Sequence, residues 1–363
     1  MKASDGRPRP LYWRVADDIS SKINAGDWGP GTKLPSEHDL CIRYRVSQIT
    51  VRRALRELAH ASLVYSHHGV GWFVRETPVL SDLSNQVALI LPELNWINDI
   101  LVSCLIEELD AAGTLLRLAF THRDAGNEAR ALADASAQGA SAILMIVDDK
   151  EAQKTERYAC LLEEVDPPSL FLLREPPNLE TPAAILDEQA CVERATRHLL
   201  SLGHQSLAYV GDDPSSIGGS QRYWGFASTI WEHGLELPLD WVFATDLATA
   251  AGRDSFGRAF GSNHRPTAIV CGSDGQAAQA MHLLFDVGIQ CPEEVAIVGL
   301  GGRDFAPLLS PPLTTVAFDL EGLGQMAAAM VLDLLDGHLV SSSRVSGSLV
   351  VRQSCGAGLA RGF

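Results

Sequence analysis

The sequence predicts an α/β protein in two parts, a short helical head ending in a strand hairpin and a two-lobed body built on two parallel sheets. Three observations predict it. At 363 residues the chain exceeds what one hydrophobic core usually fills. Its charge is divided: residues 1–75 carry 12 Lys and Arg against 7 Asp and Glu, whereas the remainder carries 17 against 38. From residue 87 onward, continuous apolar runs alternate with longer amphipathic stretches, the pattern of parallel strands covered on both faces by helices.

In the head, Val15, Ile19 and Ile23 recur at intervals of four and define one helix face, which GDWGPG terminates. A second helix starts at Pro35-Ser36, where Ser36 caps and Asp39 stands three residues on, as in a capping box. Val46-Ser47 opens a third. There Val51, Ala54, Leu55 and Leu58 follow the inward spacing, leaving Gln48, Thr50, Arg52, Arg53 and Arg56 to face elsewhere. An apolar stripe backed by three arginines suits a helix lying in a major groove. Leu63–Tyr65 and Trp72–Val74 then read as a hairpin, completing a winged helix-turn-helix over residues 1–75.

Four segments, PLYWRVADDI, PGTKLPSEHDL, YRVSQITVRRALREL and GVGWFV, resemble the winged-helix domain of the gluconate-repressor (GntR) family in order and spacing. The resemblance implies that Ser47, Gln48, Thr50 and Arg52 lie against DNA and that Gly69 forms the wing tip, with His38, Arg53, Arg56 and His68 as further candidates. The family usually has Arg at the positions of His38 and Gln48, and a more Arg-rich wing. Arginine suits guanine and glutamine suits adenine, each pair discriminating by about 1–3 kcal/mol. An operator with adenine under Gln48 is therefore expected.

The polar stretch 76–86 reads as a linker, with a sensing domain over 87–356. VALIL, LLRLA, AILMIV and SLFLL alternate with helix candidates near 98–112, 126–138 and 151–165; LAYVG, TAIVC and VAIVG alternate with candidates near 188–202, 220–234 and 274–288. Two such runs give two lobes, and a ligand would sit at the carboxyl ends of their strands.

HLLSLGHQSLAYVGD, QRYWGF, RPTAIVCGSDGQAAQAM, EEVAIVGLGG, SPPLTTVAFDLEGLGQMAA and LVVRQSC resemble the sensor of the lactose/galactose-repressor (LacI) family, itself similar to periplasmic sugar-binding proteins. The fused arrangement resembles that of bacterial arabinose repressors. The resemblance implies chain crossings between lobes near Asp187, Phe318 and Ser342, and places Arg222, Ser273 and Asp274 at the ligand. A planar five-donor fork at Arg222 suits hydroxyls or a carboxylate, and an interlobe or surface salt bridge is the alternative. Asp274 is equally suited to capping the helix that follows. Where the family usually has an aromatic and aspartates, Leu300, Gly301 and Gly302 stand; at the end of SLFLL, where a polar residue is common, stand Leu173 and Arg174, the latter a further ligand candidate. Trp96, Asn98 and Asp99 could supply replacements, although Trp96 could equally fill core. These losses point to an effector that is modified, larger than a monosaccharide, or not a sugar.

Other classes fit less well. The seven cysteines are scattered, without CxxC, and read as buried thiols rather than disulfides or metal ligands. The sequence lacks a signal peptide and a membrane-length apolar run, so a cytoplasmic location is expected. GLGGRD lacks the third glycine of a dinucleotide fingerprint, and GxxxxGK[ST], HExxH and GxSxG are absent. The expectation is therefore a non-enzymatic, cofactor-free repressor, in which a homodimer binds double-stranded operator DNA under control of a sugar-like effector. A cytoplasmic solute receptor or sugar-processing enzyme is the alternative, and it leaves the basic head unexplained.

Overall fold

The computed structural model describes residues 11–24, 27–29, 31–60, 64–67, 71–74, 85–149, 155–244, 246–262 and 264–358. The chain divides into two compact units, Met1–Leu83 and Ser84–Phe363.

The first unit contains α1 (Leu11–Asn24), α2 (Glu37–Tyr44), α3 (Gln48–His60), β1 (Val64–His67) and β2 (Gly71–Val74). The capping box forms as its residue types require: Asp39 N donates to Ser36 Oγ, and Ser36 N to Asp39 Oδ2. Arg45 ends α2 in a left-handed conformation, turning the chain into α3. Val51, Ala54, Leu55 and Leu58 are buried against Val15, Ile19, Leu40, Val64 and Val74 in one small core. β1 and β2 pair antiparallel, and backbone bonds from Leu34 to Trp72 and from Val74 to Thr32 bring residues 32–34 alongside as a third strand-like segment. Tyr44 donates to Asp18 at 2.7 Å, tying α2 to α1.

The second unit begins with β3 (Asn85–Leu91), which starts inside the stretch read as linker; Asn85 and Gln86 already pair with Thr114 and Leu115. Then follow α4 (Trp96–Ala111), β4 (Thr114–Phe120), α5 (Ala125–Ala137), β5 (Ala142–Met145), α6 (Thr155–Glu163), β6 (Ser169–Leu173) and β7 (Ala183–Leu186). Next are α7 (Glu188–Ser201), β8 (Leu207–Val210), α8 (Ile217–Glu232), β9 (Val242–Phe243), α9 (Ala250–Phe260), β10 (Ala268–Cys271), α10 (Asp274–Asp286) and β11 (Ala296–Gly301). The chain closes with β12 (Thr314–Ala317), α11 (Leu320–Leu335), β13 (Ser343–Val345) and β14 (Ser348–Val350).

One sheet runs β13-β7-β6-β5-β3-β4, all parallel; the other runs β14-β12-β11-β10-β8-β9, parallel except for β14. Alternate strand residues face opposite sides. Val87, Leu89 and Leu91 therefore pack towards α4 and α11, whereas Ala88 and Ile90 pack towards α5 and α6. In the second sheet Ala208 and Val210 meet α9 and α10, and Leu207 and Tyr209 meet α7 and α8. Both faces of each sheet are thus covered, which is why these strands are apolar without alternation.

The chain passes between lobes at Asp187, which caps α7 through Ala190 N, and again at Phe318 and Asp319, the latter capping α11. The third passage lies between Val345 and Ser348, a few residues beyond Ser342, because β13 still pairs with β7 of the first lobe. Ser342 instead accepts from Ala183 N at 3.0 Å.

Candidate functional site

In the head, α3 presents Ser47, Gln48 and Arg52 at the surface, with Thr50 half-buried. Ser47 Oγ accepts from Thr50 N and contacts the Thr50 hydroxyl at 2.9 Å, so these two hydroxyls start the helix. Gln48 Nε2 and Arg52 Nε both donate to Glu37 Oε2, at 3.0 and 2.8 Å. Burial works to raise the Glu37 carboxyl, and hydrogen bonds from Arg52, Gln48 and Trp72 outweigh it, leaving the group below its ordinary range. One residue of α2 therefore fixes two side chains one turn apart on α3. The sequence gives no direct sign of this link, since Glu37 lies 11 residues from Gln48. Arg53 points differently: its guanidinium lies 4.0 Å from the Tyr12 ring centre and donates to the Tyr12 hydroxyl. Exposed Lys33 lies across Gly71 of the hairpin, a basic group the sequence reading overlooks. The side chains of His38 and Arg56, together with His68 and Gly69, lie outside the described residues.

In the second unit the carboxyl ends of the strands carry the unusual backbone. His122, Arg123 and Leu173 have positive φ on the first lobe, as do Gly301 and Gly302 on the second. Such conformations cost of order 1–3 kcal/mol at non-glycine residues and cluster at ligand clamps.

Arg174 and Arg222 come together on one carboxylate. Glu188 is fully buried, and its Oε1 accepts from Arg174 Nη2 at 2.8 Å and from Arg222 Nη2 at 2.9 Å. Burial alone would raise this carboxyl; the charges of Arg174 and Arg222 reverse that and hold it down at about 2. Arg222 Nη1 also donates to Asp212 at 2.6 Å, and Arg174 lies 3.7 Å from Asp149. Arg174 and Asp149 belong to the first lobe; α7, α8 and Asp212 belong to the second. Gly218 N of α8 donates to Asp149 at 2.9 Å, so the network crosses between lobes. A Cβ on Gly218 would stand 2.8 Å from both Arg174 Nη2 and Glu188 Oε2, so a side chain there would have to displace this pair. The salt-bridge alternative for Arg222 therefore describes its contacts here.

Asp274 departs from both of its expected roles. It has no exposed surface; its carboxylate accepts from Thr315 Oγ1 and from Arg303 N, each at 2.6 Å. The helix cap is Ser273, through Gln276 N. Asp274 ties the loop after β11 to β12, one carboxylate oxygen on Arg303 N and the other on the Thr315 hydroxyl. Asn98 is also buried: it donates to Glu93 O at 2.7 Å, and its Oδ1 has no partner among the described residues.

Trp96 is half-buried beside Gly301. Its ring is stacked with Phe318, centroids 6.2 Å apart and planes 7° apart, and Arg303 lies 4.7 Å from its centre. A Cβ on Gly301 would meet the indole at 3.3 Å. Two hollows open at the strand ends: one of about 510 Å³ between Trp96, Arg303 and Phe305, and one of about 420 Å³ beside Asp212, Ser273 and Gln276. Among the described residues no group of three or more His, Cys, Asp or Glu is placed to hold a metal ion, and no helix is long and apolar enough to cross a membrane.

Comparison with known proteins follows these two parts. Residues 11–74 match the family described as bacterial regulatory proteins, gntR family, and residues 196–355 match the periplasmic binding protein-like domain. The chain is 26% identical over 347 residues to the arabinose metabolism transcriptional repressor of Geobacillus stearothermophilus, covering 91% of this chain and 93% of that protein. It is 28% identical over 144 residues to the HTH-type transcriptional repressor PurR of Glaesserella parasuis, 40% of this chain and 42% of that one. Among solved structures, a regulatory protein of the LacI family from Chloroflexus aggregans aligns with a TM-score of 0.66 at 19% identity, covering 74% of this chain and 98% of the other, a likeness of fold.

Proposed function

Starting from a chain that joins a gntR-type helix-turn-helix domain to a LacI-like, periplasmic binding protein-like domain, we propose that the protein is a ligand-responsive transcription repressor. The head binds operator DNA through α3 and the hairpin, with Ser47, Gln48, Thr50 and Arg52 against the duplex. Arg53, Arg56, His38, His68 and Gly69 are further candidates for contact with DNA. A small, sugar-like effector binds between the lobes of the second unit and changes DNA affinity.

The observation that carries this reading is the pairing within one chain of a surface-presented Gln48 and Arg52, fixed by Glu37, with lobes joined across a cleft by Arg174, Glu188 and Arg222. Each supplies what the other lacks, a readout surface and an element able to change on binding. Coupling of this kind is typically about 1–3 kcal/mol, enough to change operator occupancy by roughly 5- to 150-fold. Two-fold dimers reading a pseudo-palindrome fit common symmetry and helix-turn-helix geometry. Acidic surface outside the head would discourage sequence-independent DNA binding by the larger unit. The similarity to a repressor along nine-tenths of the chain supports regulation over catalysis, and action on DNA supports a cytoplasmic location.

The test is titration of promoter DNA from the gene's own neighbourhood with full-length protein, with and without candidate sugars. A sugar that shifts the midpoint supports the reading. Retardation of unrelated DNA to the same degree, unaffected by any addition, would end it.

A further inference from the structure

We propose that Arg303 and Trp96 form an anion subsite, so that the effector carries a carboxylate or phosphate on a ring or apolar body. This rests on the reading of the second unit as the effector-binding part.

The arginines at the strand ends differ in what they have left to give. Arg174 and Arg222 share Glu188 and have Asp149 and Asp212 as second partners. Arg123 lies between Glu93 at 2.5 Å and Asp148 at 3.1 Å. Arg303 has no side-chain hydrogen bond and no ion pair among the described residues; its guanidinium meets only aromatic faces, Trp96 at 4.7 Å and Phe305 at 5.4 Å. A guanidinium stacked on a ring retains its in-plane donors, and that planar fork matches a carboxylate or phosphate bidentately.

The loop that carries it is fixed in advance. Arg303 N donates to Asp274, Gly302 N donates to Thr315 Oγ1 at 3.3 Å, and Gly301 and Gly302 take φ of 123° and 79°. A side chain at Gly302 would collide with Ala317, and one at Gly301 would press on Trp96. The 510 Å³ hollow beside Arg303 has apolar walls from Trp96, Ile100, Phe305 and Leu308. Asp99 and Asp304 lie on it as well, both exposed, where water and salt screen their repulsion of an anion. A body resting on the indole with its anionic group at Arg303 satisfies both features. The uncommitted cation thus follows directly on Gly301 and Gly302, in the same loop.

Probes that carry only this chemistry test it: benzoate, phenyl phosphate and neutral benzyl alcohol, titrated calorimetrically into full-length protein at constant ionic strength. At least one anion should bind about tenfold more tightly than benzyl alcohol, the scale of a charge-assisted pair. Which anion does so separates a carboxylate effector from a phosphate one. Arg303→Gln should abolish the preference with thermal unfolding unchanged, and Arg303→Lys should restore part of it. Equal or absent binding of all three, or a preference that survives Arg303→Gln, overturns the proposal. Promoter retardation by the same preparation reports separately on the regulator: retardation without anion preference sinks the subsite alone, whereas its absence sinks the regulator.

Discussion

Arg222 Nη2 donates to Glu188 Oε1 at 2.9 Å, and Glu188 has no exposed surface. A buried carboxylate shared by two arginines is costly to leave half-paired. Replacing Glu188 with Gln keeps its shape but leaves Arg174 and Arg222 only Asp149 and the exposed Asp212, and removing one partner from a buried pair costs about 3–5 kcal/mol. Urea unfolding of the second unit should show that loss for Glu188→Gln; an unchanged midpoint would mean that the network contributes little.

The same group fixes a pH dependence. Its folded-state value near 2 lies below the ordinary 4.5, so its contribution is present above about pH 4.5 and is lost as pH falls towards 2. Arg174, Arg222 and the neighbouring Asp212 and Asp149 surround it, and the arginines remain charged throughout. The stability difference between wild type and Glu188→Gln should therefore shrink across pH 4.5 to 2. A gap that is constant through that window contradicts the assignment.

The fold was far more legible in the sequence than the site. Runs such as VALIL and AILMIV announce buried parallel strands because both of their faces are covered. Ser36 and Asp39 announce their helix because a capping box is local. β9, β13 and β14 are two or three residues long, too short for any period to register. Arg222 stood out within QRYWGF, yet its partner Glu188 is 34 residues away and only the α7–α8 packing joins them. Trp96 and Arg303 belong to different lobes, so nothing local links them. The helix-start position of Asp274 suggests a cap, whereas its carboxylate turns towards Thr315, 41 residues away in the chain and beyond the reach of any local signal.

Base choice at α3 can be checked directly. If Gln48 reads adenine, Gln48→Arg should shift the preferred base at one position of each half-site towards guanine, by about 1–3 kcal/mol. Selection from randomised DNA with both proteins measures it, and identical selected sites would remove Gln48 from base readout.

Glu37 has opposing effects that one salt series separates. Glu37→Gln should free Arg52 and Gln48 to wander, lowering discrimination between operator and unrelated DNA. It also removes a negative charge from the face, so binding to unrelated DNA should tighten, most at low salt. A discrimination ratio equal to that of wild type would show that Glu37 does not position these side chains.

The most direct measurement is fluorescence anisotropy of a labelled promoter fragment from the gene's own neighbourhood, titrated with wild type and with Gln48→Ala/Arg52→Ala. Wild type should bind that fragment far more tightly than shuffled DNA, with affinity falling steeply as salt rises. The double variant should lose the preference while its second unit unfolds as before. If wild type showed no preference, or the double variant bound as tightly as wild type, DNA readout through α3 would be contradicted.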